Sequence, residues 1–353
     1  MSNRALIAGS SGISGANLAD LLAAEGWDVF GLARRPGAGR PGITPVAADL
    51  QDAGALRAAV GEIRPTHVFI TAWVRKDTEA ENRVVNAALV RNLLDAVAPS
   101  GTVRHVALVT GMKHYLGPFE AYARFKPETP FREEVPRLPV ENFYYDQEDE
   151  LFAAAARQGF TWSVHRASTI IGHAVGNLMN MGTTLAAYAS LCRESGRPFV
   201  FPGSRQSWDG LSDLTDARLL ARQLRWAATA DGARNEAFNI VNGDVIRWRW
   251  LWPRLAAWFD IEAAPFPDEP KPLEPQLAGR EDEWRALAAK HGLAEADLGR
   301  VASAWHTDAD LGREVECIAD MGKSRAAGFL DYQSTLGSFL DLFARLRAER
   351  IIP

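Results

Sequence analysis

Residues 5–15 of the chain, Ala-Leu-Ile-Ala-Gly-Ser-Ser-Gly-Ile-Ser-Gly, join a short apolar run to three glycines spaced three residues apart. The run Ala5–Ala8 is apolar throughout and is predicted to be a buried strand. A helix is predicted after the glycines, because Leu18 and Leu22 fall on one of its faces and Gly26 is a stop signal. The pattern predicts a glycine-rich turn between a strand and the N-terminus of a helix.

Such a turn is suited to bind a pyrophosphate group. Glycine permits the tight turn and the close approach of backbone to ligand, and the N-terminus of the helix attracts negative charge. The sequence therefore predicts a dinucleotide-binding site whose pyrophosphate contacts Gly9, Ser11, Gly12, Ile13 and Gly15.

The residues after the second strand distinguish the two common dinucleotides. That strand, predicted over Asp28–Leu32, is followed by Ala33, Arg34 and Arg35. A site for NAD carries an acidic residue about 20 residues after the glycines, where it binds the ribose 2′-hydroxyl. Guanidinium groups instead bind phosphate oxygens in pairs, so Arg34 and Arg35 predict NADPH as the cofactor. The alternative is a solvated pair of arginines in a loop.

Strand-like and helix-like segments alternate through the first half of the chain. Strands are predicted over 44–48, 67–71, 105–109 and 162–165, and helices over 82–97 and 146–158. This alternation indicates an α/β fold of the Rossmann type, a doubly wound parallel sheet with helices on both faces. We expect the dinucleotide-binding domain to span residues 1–175.

The remaining residues, 176–353, are less regular and are expected to form a smaller substrate-binding lobe, packed with the first domain as one unit. A late strand over 235–240 is predicted to return to the sheet. Five prolines between Pro265 and Pro275 predict a surface loop without regular structure, because proline lacks a backbone N–H.

Composition limits the function classes. The 353 residues carry a net charge of −5 without a basic patch, which argues against binding of nucleic acid. No apolar stretch reaches the roughly 20 residues of a membrane span. Cys192 and Cys317 are too few for a disulfide framework or a zinc site, and His165 and His173 lack further ligands at metal-binding spacing. We therefore expect a cytoplasmic protein that acts on a small molecule without a metal.

One further motif has the spacing used by short-chain dehydrogenases and reductases, the superfamily that the Rossmann pattern resembles. These enzymes carry Tyr-x-x-x-Lys, which places both side chains on one helical face. Tyr122 and Lys126 match that spacing, but Pro127 follows at once and Pro130 soon after. Because proline disfavours a continuing helix, we interpret this match as chance.

Two longer motifs resemble a particular family. Residues 110–120 read TGMKHYLGPFE, and residues 142–149 read NFYYDQED. They resemble the progesterone 5β-reductase and iridoid synthase family of plants, whose motifs are T-G-x-K-H-Y-x-G-P-F and N-F-Y-Y-x-x-E-D. The similarity spans nearly the whole chain, through the segments 161–166, 207–210, 235–245 and 351–353. The chain departs from the family at Ala167 and Ser168, where the family has Pro-Gly.

The resemblance implies a catalytic pair formed by Lys113 and Tyr144, with Tyr145 as the second candidate for the tyrosine. Both residues of the pair would also contact the cofactor. A phenol ionises near pH 10 in water, and a neighbouring ammonium group favours its anion. The implied reaction adds hydride to the β-carbon of an alkene conjugated to a carbonyl, and Tyr144, supported by Lys113, would stabilise the enolate.

Further site residues are expected from position and from the resemblance. Asp49 and Leu50 follow the third strand, where related enzymes hold the adenine ring. Thr71 and Ala72 are expected to face the middle of the cofactor, and Thr110 and Gly111 to contact it as well. The resemblance adds nicotinamide or ribose contacts from Ile170, Asn177, Leu178 and Met179. Candidates for the substrate pocket are His114, Tyr115, Phe119, Tyr145 and Trp208.

Two alternatives to this function remain open. An epimerase or carbonyl reductase on the same fold would carry a lysine four residues after the tyrosine, and Glu148 occupies that position after Tyr144. A non-catalytic NADPH sensor would lack the tyrosine or the lysine. A homodimer is an expectation at the level of the fold. The sequence leaves open the substrate, the stereochemistry and the choice between 1,4- and 1,2-reduction.

Overall fold

The structure is a computed structural model that describes residues 3–37, 39–118, 121, 127–176 and 179–353. Five residues named above lie outside the described residues: Phe119, Tyr122, Lys126, Asn177 and Leu178. What the sequence predicts for them therefore stays a prediction.

The described residues form nine strands, most of which belong to one parallel sheet. In chain order the strands are β1 (Arg4–Ala8), β2 (Asp28–Ala33), β3 (Ile43–Ala47), β4 (His67–Ile70), β5 (His105–Gly111), β6 (Thr161–Ala167), β7 (Ile170–Ile171), β8 (Thr215–Asp216) and β9 (Glu236–Ile240). Seven of them form a sheet in the order β3-β2-β1-β4-β5-β6-β9, with every neighbouring pair parallel. The short strands β7 and β8 pair with each other. The late strand β9 thus joins the sheet, as the sequence predicted.

Helices provide the crossover connections that parallel strands require. They are α1 (Ile13–Ala24), α2 (Ala53–Val60), α3 (Glu79–Val97), α4 (Lys113–Leu116), α5 (Phe143–Gln158), α6 (Met181–Ser195), α7 (Arg205–Asp209), α8 (Ala217–Ala227), α9 (Trp248–Trp258), α10 (Leu273–Leu277), α11 (Glu281–His291), α12 (Leu298–Val301), α13 (Ala304–Leu311), α14 (Gly322–Ala326) and α15 (Thr335–Ala348). α1, α2, α3 and α5 each lie between two consecutive strands of the sheet.

The central strands are buried along their length. All four residues of β4 and residues Ala5–Ala8 of β1 are buried. A strand buried in this way must be covered on both of its faces, which is the arrangement of doubly wound α/β sheets. The predicted fold class is therefore confirmed.

The strand order reverses between β1 and β4, because the chain leaves β3 at one edge and returns on the other side of β1. Ligands of open α/β sheets bind at the carboxyl ends of the strands beside such a reversal. Gly9 directly follows β1 and Thr71 directly follows β4. The glycine loop therefore lies where this fold binds ligands.

Two helices begin earlier than their apolar periodicity predicts. α3 begins at Glu79 rather than at 82, because Thr78 and Glu81 form a reciprocal capping box. α5 begins at Phe143 rather than at 146, because the Asn142 side chain caps it. The caps, and not the hydrophobic pattern, determine where these helices start.

The chain divides into two compact units. The first comprises the described residues within Met1–Ser168, Arg218–Ile240 and Ala319–Asp331, and contains the whole seven-stranded sheet. The second comprises Thr169–Ala217, Val241–Ile318 and Tyr332–Pro353, with its own apolar core. Within that core the rings of Phe199 and Trp252 are stacked 3.9 Å apart. The first break in the chain thus falls after Ser168, and later segments return to the first unit.

The proline-rich loop is less irregular than predicted. α10 begins at Leu273, directly after Pro272, and contains Pro275 in its first turn. Proline is tolerated there because the N–H groups of a first helical turn have no partner within the helix. The expectation that no regular structure forms between Pro265 and Pro275 was therefore wrong at its C-terminal end.

Two kinds of feature are absent from the described ranges. No helix within them combines the length and the apolar character needed to cross a membrane. The same part of the chain contains no group of three or more His, Cys, Asp or Glu side chains arranged to hold a metal ion.

Candidate active site

The glycine loop forms a cradle that side chains would fill. Gly9 has a φ of +90°, a region that favours glycine, and its N–H donates to the Leu32 carbonyl at 2.9 Å. A Cβ atom on Gly15 would lie 2.3 Å from the Gly9 carbonyl oxygen and 2.7 Å from Thr71 Oγ1. Glycine is therefore required at both positions. The close packing of loop, helix and strand is the one that a bound pyrophosphate needs.

The N-terminus of α1 lies at this loop, and the first N–H groups of a helix have no partner within the helix itself. Gly12 occupies the cap position and offers no side chain to the first turn, which carries no acidic residue. Ser11 is exposed and Ile13 is buried. Thr71 donates its hydroxyl to the Ala8 carbonyl at 2.8 Å, which ties the end of β4 to the end of β1. These groups fit an anionic ligand at the helix N-terminus.

The residues expected at the adenosine end of the cofactor follow β2 and β3. Arg34 and Arg35 come directly after β2 and are both exposed. Asp49 and Leu50 follow β3, and Asp49 accepts a hydrogen bond from the Gln51 N–H at 2.9 Å. Since neighbouring parallel strands end at the same edge of the sheet, all four residues lie on the edge that carries the glycine loop.

Lys113 opens the short helix α4 and is buried, with 8% of its surface exposed. Its ammonium nitrogen lies 4.9 Å from the centre of the Phe143 ring and 5.6 Å from that of Trp73. The two rings are stacked on each other, with centroids 5.1 Å apart and planes 23° apart. The ammonium group is therefore in cation–π contact with an aromatic pair.

Tyr144, in the first turn of α5, is partly exposed and lies beside the end of β5. A Cβ atom on Gly111 would lie 3.4 Å from the Tyr144 hydroxyl oxygen. The Tyr144 and Phe143 ring centroids are 4.3 Å apart, so Phe143 contacts both members of the implied pair. Thr110, on the same strand, is buried, and its hydroxyl has no hydrogen-bond partner among the described residues.

Tyr145 has a different environment from Tyr144. It is 8% exposed, and burial raises the pKa of its phenol. Its hydroxyl donates to the His114 carbonyl at 2.8 Å and accepts from the Leu138 N–H at 3.0 Å. A phenol that binds two backbone groups is less available to a ligand, which counts against Tyr145 as the catalytic tyrosine.

His114 and Tyr115, expected in the pocket, are buried within the first unit. Burial lowers the pKa of His114 to about 3, and its Nε2 lies 3.2 Å from the Val135 carbonyl. Burial likewise raises the pKa of Tyr115 to about 12, and its hydroxyl donates to Asn239 at 2.7 Å. Their role as pocket residues stays a prediction.

Three other expected residues belong to the second unit. Trp208 packs against Phe201 and Phe266, with ring centroids 5.0 and 5.5 Å apart. Ile170 lies on the two-residue strand β7, and Met179 precedes α6. Their contacts with cofactor or substrate stay predictions.

Glu148 occupies the position at which a Tyr-x-x-x-Lys enzyme carries its lysine. It is 2% exposed, forms an ion pair with Arg137 at 2.9 Å, and lies 3.9 Å from Arg166. Burial raises the pKa of this carboxyl group, and the two guanidinium groups oppose that effect. A buried acid, paired with arginines, thus stands one turn after Tyr144.

Sequence reasoning missed Trp73, Phe143 and Asn142. Trp73 follows the predicted cofactor contacts Thr71 and Ala72, and its proximity to Lys113 depends on tertiary structure. Asn142 could have been predicted as the N-cap of α5, because asparagine directly before a helical segment is a preferred N-cap.

The fold and the glycine loop define the class of the protein as a Rossmann-fold protein. UDP-glucose 4-epimerase from Thermotoga maritima has the same fold, with a TM-score of 0.70 and 15% identity over 98% of this chain and 99% of that one. The enzyme WbmG from Bordetella bronchiseptica gives a TM-score of 0.68 and 15% identity, over 100% and 97% of the two chains. At these identities the likeness establishes the fold alone.

Within that class, the chain belongs to the family of PRISE-like Rossmann-fold domains, whose model matches residues 47–353. A 3-oxo-Δ(4,5)-steroid 5β-reductase from Arabidopsis thaliana is 39% identical over 99% of this chain and 93% of its own length. An (S)-8-oxocitronellyl enol synthase from Camptotheca acuminata is 37% identical over the same shares. The resemblance inferred from the two motifs is confirmed, and the protein is an oxidoreductase of this family.

Proposed function

We propose that this protein is an NADPH-dependent reductase of activated carbon–carbon double bonds, the alkenes of enones and enals. The observation that carries the proposal is the placement of Lys113 and Tyr144 around Phe143, next to Gly111 at the carboxyl end of β5. The names of two relatives, a steroid 5β-reductase and an oxocitronellyl enol synthase, support this reaction class.

NADPH is the proposed cofactor because of the charges that follow β2. Arg34 and Arg35 are exposed directly beyond the strand, where a ribose 2′-phosphate would meet them. The cradle formed by Gly9 and Gly15 leaves room for the pyrophosphate, and the first turn of α1 adds N–H groups that have no partner within the helix.

In the proposed reaction, bound NADPH supplies a hydride to the β-carbon of the substrate. Negative charge then develops on the substrate carbonyl oxygen, and Tyr144 donates its hydroxyl hydrogen bond to that oxygen. Lys113 adds positive potential beside the phenol. That potential favours negative charge on the phenol and on the substrate oxygen that the phenol binds. A proton from solvent completes the reaction at the α-carbon, so Tyr144 need not transfer its own proton.

The aromatic pair gives Lys113 its environment. Trp73 and Phe143 contact the ammonium group and keep it away from bulk water, which raises the strength of its field at the phenol. The alternative assignment, Tyr145, is disfavoured because its hydroxyl binds the His114 carbonyl and the Leu138 N–H.

Isotopic labelling tests the proposal directly. An α,β-unsaturated ketone is reduced with NADPH that carries deuterium at C4 of the nicotinamide, and the label is located in the product by NMR. Deuterium at the β-carbon is the expected result. Deuterium at the carbonyl carbon, in an allylic alcohol, would assign the protein to the carbonyl reductases.

A panel of substrates distinguishes the proposed reductase from the remaining alternative, a non-catalytic NADPH sensor. Saturated ketones should be poor substrates, because they lack the activated alkene. If NADPH binds but its absorbance does not fall with any enone, enal or ketone, the protein is a sensor rather than a reductase.

A further inference from the structure

The connection between α4 and α5 suggests how the proposed catalytic pair is held. α4 carries Lys113, consists of a single turn and is followed by its C-cap Gly117, which has a φ of +77°. A one-turn helix has little stability of its own. Its orientation, and with it the position of Lys113, therefore depends on contacts from other elements.

Asn142 contacts the backbone of both residues of the pair through one side-chain amide. It is 1% exposed, its Oδ1 accepts from the Tyr144 N–H at 3.1 Å, and its Nδ2 donates to the Lys113 carbonyl at 2.8 Å. Exchange of the amide oxygen and nitrogen would place donor against donor and acceptor against acceptor, so the orientation is determined. Aspartate and serine cap helices equally well but have no N–H to donate.

Tyr145 makes a second bond to the same short helix. Its hydroxyl donates to the carbonyl of His114, the residue after Lys113, at 2.8 Å. The hydroxyl is fixed in turn by the Leu138 N–H, which donates to it at 3.0 Å. Two consecutive carbonyl groups of α4 are thus bound by two side chains from the start of α5.

We propose that Asn142 and Tyr145 are positioning residues that hold Lys113 in its working position relative to Tyr144. We call the hydrogen bonds from Asn142 Nδ2 to the Lys113 carbonyl and from the Tyr145 hydroxyl to the His114 carbonyl the α4 clamp. This inference rests on the proposed function, which assigns Lys113 and Tyr144 as the catalytic pair. Neither clamp residue needs to touch the substrate.

Variants can remove the clamp while the helix cap remains. Asn142→Ser and Asn142→Asp each retain an oxygen that can accept from the Tyr144 N–H, and both lack the N–H donor to the Lys113 carbonyl. Tyr145→Phe removes the second donor and preserves the ring. Ser334→Ala is the matched control for loss of a cap, because Ser334 caps α15 in the second unit by accepting from the Gly337 N–H at 3.2 Å.

Steady-state kinetics with an enone give the first readout. Asn142→Ser and Tyr145→Phe should each lower kcat about tenfold or more, because a displacement of about 1 Å in a catalytic group can cost about 10²-fold. KM and the Kd for NADPH should stay within about twofold. The double variant should lose less than the product of the two single losses, since α4 is already released in either one. Ser334→Ala should retain the unmodified kcat.

Amide hydrogen exchange gives a readout that is independent of catalysis. In α4 the N–H groups of Leu116 and Gly117 donate to the Met112 and Lys113 carbonyls at 3.0 and 2.9 Å. In the NADPH-free chain, either clamp variant should speed their exchange by roughly fivefold or more, the factor expected for loss of one hydrogen bond.

The two readouts separate the possible failures. Unchanged exchange would show that the clamp does not hold α4, and faster exchange with an unchanged kcat would show that α4 need not be held for catalysis. A loss confined to KM would make both residues substrate contacts instead. Each of these results overturns the inference. If the unmodified chain reduces no enone, the proposed function has failed, and this is evident before any variant is made.

Discussion

At the scale of single residues, Phe143 connects the two side chains proposed for catalysis. The Lys113 ammonium lies 4.9 Å from the centre of its ring, and the Tyr144 ring lies 4.3 Å away. An aromatic face attracts the cation without neutralising it, whereas a carboxylate in the same place would reduce its effect on the phenol. The Phe143 ring thus contacts the lysine and the tyrosine at once.

Tyr144→Phe should slow enone reduction by roughly 10²–10³, the scale for loss of one oxyanion donor, without abolishing it. The residual rate is expected because the α-carbon takes its proton from solvent. Highly activated enones should lose least, since their enolates need less stabilisation. The measurement is kcat/KM over a series of enones, with Tyr332→Phe, an exposed tyrosine, as the control. Complete loss for every substrate would instead indicate obligatory proton donation.

Lys113→Met should lower turnover strongly while the protein remains folded and binds NADPH. Methionine keeps an apolar stem against Trp73 and Phe143 but removes the charge. Kinetics and an NADPH titration on the same preparation check both parts. Lys126→Met is the matched comparison, since Lys126 belongs to the literal Tyr-x-x-x-Lys match. A larger loss from Lys126→Met would make Tyr122 and Lys126 the catalytic pair.

Replacing Arg34 and Arg35 together by alanine should erase most of a preference for NADPH over NADH. Loss of two charge-assisted phosphate contacts should cost on the order of 3 kcal/mol, or about a hundredfold in Kd. Affinity for NADH should change little, because NADH has no 2′-phosphate. Fluorescence titration of both cofactors checks this, with Arg57→Ala as the exposed control on α2. Equal affinity of the unmodified chain for the two cofactors would refute it.

At the scale of elements, local pattern predicts most of the first half of the chain, although it missed α2 (Ala53–Val60). Runs such as Ala5–Ala8 and 105–109 are short, apolar and bounded by turn residues, so their strands follow from periodicity. The motif at 110–120 also singles out Lys113, through its resemblance to the family motif. Its short helix α4 was not predicted, because four residues carry no helical period.

The parts of the site that escaped prediction depend on contacts between distant segments. Trp73, Lys113 and Phe143 are separated by tens of residues. The pairing of β4 with β5 brings the segments of Trp73 and Lys113 together, and the bond from Asn142 to the Lys113 carbonyl brings in the start of α5. Helix starts were missed for a different reason. Periodicity detects the buried face of a helix, whereas Thr78 and Asn142 act through side-chain hydrogen bonds at its end.

Gly15→Ala should reduce NADPH affinity about a hundredfold or more through the geometry of the glycine loop. The added methyl group would lie 2.3 Å from the Gly9 carbonyl oxygen, so the backbone of the loop must move. The backbone N–H groups that bind the pyrophosphate move with the loop. Each of their hydrogen bonds contributes about 1.5 kcal/mol to the binding free energy. Gly232→Ala is the control, because its nearest neighbour would be 3.6 Å away. Unchanged affinity in Gly15→Ala would exclude the loop as the pyrophosphate site.

At the scale of the whole molecule, buried histidines on the sheet make the stability of the folded protein depend on pH. His105 and His165 both hydrogen-bond the Ser163 hydroxyl at 2.9 Å, and His165 also bonds Gln223 at 2.7 Å. Burial lowers the pKa of His67 and of His165 to about 4 each, and that of His105 to about 3. All three are neutral in the folded protein at neutral pH, and protonation would place charge inside the first unit.

The sign of the pH dependence follows from these shifts. An unfolded histidine has a pKa near 6.5, so below that pH the unfolded chain binds protons that the folded chain does not. Stability is therefore fully present above about pH 6.5 and falls as the pH drops toward the folded pKa values. Each histidine should lower the free energy of unfolding by about 2 kcal/mol between neutral pH and pH 5. The carboxyl groups of Glu133 and Glu148, whose pKa values are raised, act in the opposite direction.

The thermal midpoint should accordingly fall steeply between pH 6.5 and pH 5 and stay level from pH 6.5 to pH 7.5. His165→Gln keeps hydrogen-bonding capacity toward Ser163 and Gln223 but cannot gain a proton, so its midpoint should depend less on pH even if it is lower at pH 7.5. Equal pH dependence in the unmodified chain and His165→Gln would show that His165 is not among the groups that take up protons when the protein unfolds in acid.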